Sequence, residues 1–358
     1  MSYTNGLDNP KDYFEAIKYA GDGNTTQAIT ANFQLDLSWI KHRSTTAAHT
    51  LQDSVRGFNA ANKLSSNEDD AENDANGATW ENYGHVSAVS SSSFTVNRGA
   101  NTPYQTNASG INYIAWNWKA GGSASSNSNG SITSSVSANT TAGFSIATFT
   151  TPSADGDFTV GHGLGVVPKL VIVKTRGNAD NWQVYHHAIG NANVLNLNNT
   201  NASASTGIFG STTPTSSVFT LNKNSFGGGL TAVSYCFVEK KSYSRFGSYK
   251  GNGSTDGPFV YTGFKPAWLL IKQTTDSGQQ WEIFDNKRDG YNDANRRLFA
   301  DANSAEPSAS NRVRICSNGF KLVTSGGTHV NGNGKTHIYM AFAESPFVNS
   351  NGVPTTAR

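Results

Sequence analysis

The chain has 358 residues, 36% of them hydrophobic and only 15% charged, with 36 glycines and a formal net charge of +2. So small a charge sets up no field able to gather phosphates, which argues against nucleic acid and anionic membranes as partners. Aromatics at 11% exclude a disordered Ser/Gly/Asn-rich chain, because large side chains can offset the entropy of ordering.

The amino terminus, Met1 to Gly6, has neither a basic start nor an apolar core, so no signal peptide is expected and the protein should be made in a cytosol. Residues 8–17 could start a helix, since Asp8 and Asn9 can cap one. An aromatic segment, residues 13–19, then runs into the turn Gly21-Asp22-Gly23. After it come the strand signal Leu37-Ser38-Trp39-Ile40-Lys41, then His49-Thr50-Leu51-Gln52-Asp53, then Leu64-Ser65-Ser66-Asn67, then Phe94, and finally Tyr113-Ile114-Ala115-Trp116.

The same landmarks recur in order. A second copy opens at residues 144–149 and reaches Leu170-Val171-Ile172-Val173-Lys174, then Trp182, Leu195, Phe219 and Ser234-Tyr235-Cys236-Phe237. A third opens at residues 243–249 before Gly251-Asn252-Gly253 and reaches Trp268-Leu269-Leu270-Ile271-Lys272, then Trp281, Leu298, Phe320 and Tyr339-Met340-Ala341-Phe342. One match would be weak, but ordered landmarks in three copies point to an internal repeat. Three modules are expected, at 10–119, 143–241 and 242–348. Short β-branched and aromatic runs separated by Gly/Asn/Ser/Thr turns predict an all-β fold of three tandem antiparallel sandwiches, jelly-roll-like.

Residues 62–75 and 292–305 occupy equivalent places and predict a short helix per module. Residues 120–142 are rich in Gly, Ser and Asn and predict a linker, so the second and third modules should pack more rigidly together than either does with the first.

A feature common to the copies should serve the fold, whereas one confined to a single copy is freer to serve function. Asp53 with Arg56 and Asp285 with Arg288 recur, which favours structural ion pairs over acid/base groups. Cys236 stands where Ala115 and Ala341 are expected, at a small inward position, and with Cys316 forms no ligand or disulfide pattern. The metal reading of His162, His186 and His187 is weak because no carboxylate or cysteine completes a set. Asp157, Glu239, Asp285 and Glu344 could serve a glycosidase, but nothing pairs them across a cleft. The two Gly-x-Gly turns read as tight hairpins rather than phosphate cradles. No catalytic motif, cofactor or metal is therefore expected. The first copy carries a longer loop, residues 73–85, with Trp80 and Tyr83, and Trp118 falls where Glu239 and Glu344 are expected. Trp80, Tyr83 and Trp118 are thus the candidate binding aromatics, against the plainer reading that Trp80 plugs the end of a sandwich.

The segments Val160-Gly161-His162-Gly163-Leu164-Gly165-Val166-Val167-Pro168, residues 247–264, Ser317-Asn318-Gly319-Phe320-Lys321-Leu322, residues 338–344 and Pro346-Phe347-Val348 resemble a family of virion structural proteins of marine bacteriophages, cyanophages and pelagiphages among them. Residues 37–57 and 110–121 match as well. The resemblance implies a non-enzymatic, tail-fibre-like virion protein exposed on the particle, acting in host attachment and assembly. Its implied partners are other virion proteins, a glycan or protein receptor on the host surface, and further copies of itself, with a trimer favoured. A head decoration protein and a tail-spike depolymerase are the alternative expectations.

Overall fold

Strands account for nearly all the regular structure in the computed structural model, which describes residues 7–74, 79–289, 292–307 and 312–355. Among them lie three larger antiparallel sheets and three small ones. The first larger sheet is ordered Phe14–Ala20, Asn112–Trp118, Leu37–His42, Thr50–Asp53. The third repeats this order with Ser244–Lys250, Thr336–Pro346, Phe264–Gln273 and Glu282–Asp285, and adds Leu298–Phe299 at its edge. The second contains the same run, Phe144–Thr150, Thr231–Phe237, Leu170–Thr175 and Gln183–His186, inside an eight-stranded sheet.

Pairing fixes which residues are equivalent. Trp118 lies between Phe14 and Leu37, Phe237 between Phe144 and Leu170, and Phe342 between Ser244 and Trp268. Trp118, rather than Trp116, therefore matches Phe237 and Phe342, and Asn117, rather than Ala115, matches Cys236 and Ala341. The sequence register was two residues off in the first copy. A two-residue slip leaves every side chain on its expected face, so alternation cannot detect it.

Leu37–His42 and Leu170–Thr175 are buried at every position, because each larger sheet is covered on both faces. Outward-directed Ile40, Val171 with Val173, and Leu269 with Ile271 belong to three separate apolar clusters that include residues of the small sheets, such as Phe94, Phe219 and Phe320. Their alternating neighbours Trp39, Ile172 and Leu270 belong to one shared cluster drawn from all three segments. At its centre the Trp118 ring lies 5.0 Å from Phe14, 6.4 Å from Phe237, 5.6 Å from Trp268 and 5.7 Å from Phe342.

Four further expectations change. Residues 120–142 are not a free linker: within them Ser134–Asn139 pairs with Phe144–Thr150, and Ser125–Asn127 pairs with Ser134–Asn139. Backbone hydrogen bonding of a polar strand needs no apolar side chains, so composition alone suggested a linker. The first segment also contributes to the common core as fully as the others. Among the described residues the helices expected at 8–17, 62–75 and 292–305 do not form: 3-10 turns at Pro10–Asp12 and Ala60–Asn62 fall near them, and the short α-helices are Lys223–Phe226 and Thr328–Asn331. Asn62, which opens the second of these stretches, instead donates through Nδ2 to the Gly57 carbonyl at 3.3 Å. Gly21-Asp22-Gly23 and Gly251-Asn252-Gly253 are corners rather than hairpins, since the strands they join pair in different sheets. A Cβ on Gly251 would sit 2.4 Å from the Gly332 carbonyl oxygen, so the corner requires glycine.

Candidate functional site

Hydrogen bonds close the three segments into a ring. The Glu72 N–H donates to the Arg176 carbonyl at 2.7 Å, the Ser203 N–H to the Thr274 carbonyl at 3.0 Å, and the Glu306 N–H to the Arg43 carbonyl at 2.8 Å. Equivalent side chains add a second ring. Trp182 Nε1 donates to the Ser65 carbonyl and Trp281 Nε1 to the Asn196 carbonyl, each at 2.9 Å. His49 fills the third place, with Nε2 2.9 Å from the Phe299 carbonyl. Its Nδ1 accepts from Trp39 Nε1 at 2.7 Å, so the proton must sit on Nε2. Burial holds the His49 imidazole neutral, its pKa lowered to about 3.

The charged groups in the interior are committed to this closure. Arg56 meets Asp53 at 2.6 Å and Arg288 meets Asp285 at 2.6 Å, all four side chains fully buried. Burial opposes ionisation of Asp285, but the Arg288 guanidinium outweighs it and holds the carboxyl below its ordinary value. Each aspartate also receives a donor from the next segment: Tyr235 Oη to Asp53 at 2.8 Å and Trp116 Nε1 to Asp285 at 3.1 Å. Glu72 bridges Arg56 and Arg176, and Glu306 bridges Arg288 and Arg43. His186 occupies the corresponding place in the second segment, opposite Leu170, and Nε2 lies 3.3 Å from the Tyr339 carbonyl. His187 faces the Phe246 carbonyl and His162 the Thr215 carbonyl, so the three imidazoles serve separate backbone groups. No metal-binding group of three His, Cys, Asp or Glu side chains occurs among the described residues.

The repeated lysines are equally internal. Lys41 Nζ donates to the His42 carbonyl at 2.7 Å and Lys174 Nζ to the Thr175 carbonyl at 2.8 Å, while Lys272 Nζ donates to the Gln279 carbonyl. Desolvation lowers Lys41 to about 7 and Lys174 and Lys272 to about 8. Cys236 is fully buried, and burial pushes its thiol up to about 12.

Two of the expected binding aromatics are not at the surface. Trp118 is 1% exposed and forms the centre of the common core, because its two-residue register difference aligns it with core phenylalanines. Trp80 is 7% exposed, its ring 5.5 Å from Lys63 Nζ. Tyr83 is half-buried with its ring 6.1 Å from Trp80. The exposed rings lie elsewhere: Phe259 is 48% and Tyr261 55% exposed, on either side of buried Val260 in the edge strand Phe259–Tyr261. Alternation could have marked both as outward-facing; that they stand on a sheet edge was not legible.

Tyr261 forms part of a cleft of about 840 Å³ where the second segment joins the third, lined also by Val166, Lys240, Lys241, Ser242 and Phe347. Ser242 has φ 65°, a left-handed conformation that costs a side chain with a Cβ and turns the chain sharply behind the cleft. Arg245 is held by Glu239 at 3.2 Å, both partly exposed. Lys240 and Lys241 form no ion pair among the described residues. The equivalent joint between the first and second segments is a more open polar depression around Asp36, Lys119 and Asn139. At the joint returning to the first segment only about 10 Å³ remains beside Lys11, Glu15 and Glu344. The exposed ring and two ammonium groups that form no ion pair among the described residues thus occur together at one joint of three. Such a surface can stack on a flat ligand face and neutralise an anion; its residues come from separate stretches of chain around 166, 240, 261 and 347, so no local sequence signal marks it.

Comparison with curated proteins and with solved structures finds no match. Residues 9–346 match the family described as a domain of unknown function, DUF7483. That span takes in all three larger sheets and every lining residue of the cleft at the second joint except Phe347 and Val348, and the chain therefore belongs to the DUF7483 family.

Proposed function

We propose that the protein is a non-catalytic component of a virus particle, of the marine bacteriophage kind its sequence resembles, which helps build the particle and attaches it to a host surface. In this reading residues 10–119, 143–241 and 242–348 are three tandem β-sandwich modules derived from one repeat. They are locked by the cyclic hydrogen bonds into a rigid carrier for exterior binding surfaces. The observation that carries the reading is the cleft at Tyr261: two joints of the ring are polar or closed, while one presents an exposed ring and two lysines without an ion pair among the described residues. A feature confined to one copy of a repeat is the part least constrained by folding. Several such contacts on an oligomer, a homotrimer in this proposal, would act together through effective concentration.

The test is to raise antibodies to the purified chain and apply them to particles whose genome encodes it. Labelling on the tail, with host adsorption blocked at full coverage, supports the proposal. Labelling over the head at hundreds of copies assigns decoration instead, and particles carrying no label at all overturn it.

A further inference from the structure

We propose that the cleft at the second joint is a binding site for an acidic oligosaccharide, with Tyr261 as the stacking platform and Lys240 and Lys241 as anchors for its carboxylates. This deepens the adhesive reading above and names its ligand class. Three independent features meet there. Tyr261, at 55% exposure, is the most exposed aromatic ring at this joint and lies over Gly263, where a Cβ would stand 3.5 Å from its hydroxyl. An aromatic left in water beside a concave surface offers an apolar face and a polar tip, which suits a sugar ring carrying C–H groups on one face and hydroxyls at its edge.

The second feature is charge. Lys240 lays its stem over Gly143, where a Cβ would meet its Cε at 2.9 Å, and neither it nor Lys241 meets a carboxylate among the described residues. Two cations that meet no carboxylate among the described residues concentrate in the cleft a positive charge that the chain as a whole, at +2 over 358 residues, spreads thinly. Arg245, tied to Glu239 at 3.2 Å, spans the same turn and adds no free charge.

Third, the turn that follows Tyr261 is pinned. The N–H groups of Thr262 and Gly263 both donate to the Asn318 carbonyl, at 3.0 and 3.1 Å. The ring is therefore presented to the cleft from a fixed backbone, which lowers the ordering cost of binding. The volume, about 840 Å³, lies within the range of small-molecule sites and accommodates a short oligosaccharide rather than a single ion.

The full chain is titrated with tri-galacturonate, neutral galactotriose and tri-glutamate by calorimetry at low and moderate salt. Saturable binding of tri-galacturonate is expected, weakening as salt rises, with galactotriose and tri-glutamate each weaker by about tenfold or more. Tyr261→Ala and the double variant Lys240→Ala with Lys241→Ala should each lose about tenfold or more while keeping the parental thermal midpoint, since all three side chains are outside the cores. Lys241→Glu, at an exposed position, checks the sign of the charge and should abolish binding. Equal affinity for galactotriose, equal affinity for tri-glutamate, variants that bind like the parent, or no saturation with tri-galacturonate would each overturn the assignment. These measurements use the isolated protein, so their failure is distinct from a failure to find the chain on particles.

Discussion

Trp116 and Asp285, 169 residues apart, meet across 3.1 Å where the first segment packs on the third. The same carboxylate accepts from Arg288 at 2.6 Å, so one buried anion joins a salt bridge within a segment to a hydrogen bond between segments. Trp116→Phe should cost about 1–2 kcal/mol, because Asp285 keeps its guanidinium and loses one neutral donor. Arg288→Met strands Asp285 in the interior, while Glu306 keeps Arg43, and should cost about 3–5 kcal/mol. Urea denaturation of the two variants gives the comparison; equal costs would show that the arginine is not what balances the buried acids.

Asp301 supplies a pH dependence with a defined sign. It accepts from the Trp281 N–H at 2.9 Å, as Asn67 accepts from His49 and Asn198 from Trp182 at the equivalent positions. Its Oδ2 is buried without a hydrogen-bond partner, and desolvation raises the carboxyl to about 7. A folded pKa above the unfolded value means that the native state binds the extra proton. Its contribution to stability is therefore lost as pH rises from about 4 to 7. Asp301→Asn should match the parent near pH 4 and exceed it by roughly 1–3 kcal/mol at pH 8, a figure reduced because the residue is partly exposed. The difference between the two denaturation curves isolates this group from the buried lysines and histidines; a difference independent of pH would refute the assignment.

Residues 120–142 should resist proteolysis as well as the rest of the chain. Ser134–Asn139 pairs along its length with Phe144–Thr150 and places Val136 at 5% exposure. Hydrogen-bonded strand backbone must open before a protease can bind it. A protease of broad specificity, followed by mass spectrometry at early times, should find no preferred cut between 130 and 142. A first cut there would restore the linker.

The two thiols should differ sharply. Cys236 is buried, with its thiol pushed up to about 12, whereas Cys316 is partly exposed and raised more modestly, again chiefly by burial. A thiol-specific reagent at pH 8 should label one cysteine per folded chain and two in denaturant. Rapid labelling of both in native protein would show that the second segment opens readily.

Much of the strand arrangement was legible because side-chain alternation has a period of two and is written directly into sequence. The aligned Lys41, Lys174 and Lys272 do occupy equivalent places, opposite Ile114, Val233 and Ile338. The pairs Asp53 with Arg56 and Asp285 with Arg288 are the structural ion pairs that their recurrence suggested. The same period hid the two-residue offset that put Trp116 where Trp118 belonged. It also gave no means of telling an edge ring such as Tyr261 from one covered by a neighbouring strand.

Local sequence determined that these residues would form short antiparallel strands, and repetition within it revealed which positions correspond. Tertiary structure alone decided that the inward faces of three sheets close on one another around Trp118, and that the joints between them differ. The reason is that alternation records which side of a strand avoids water, while the surface that covers that side comes from residues more than a hundred positions away.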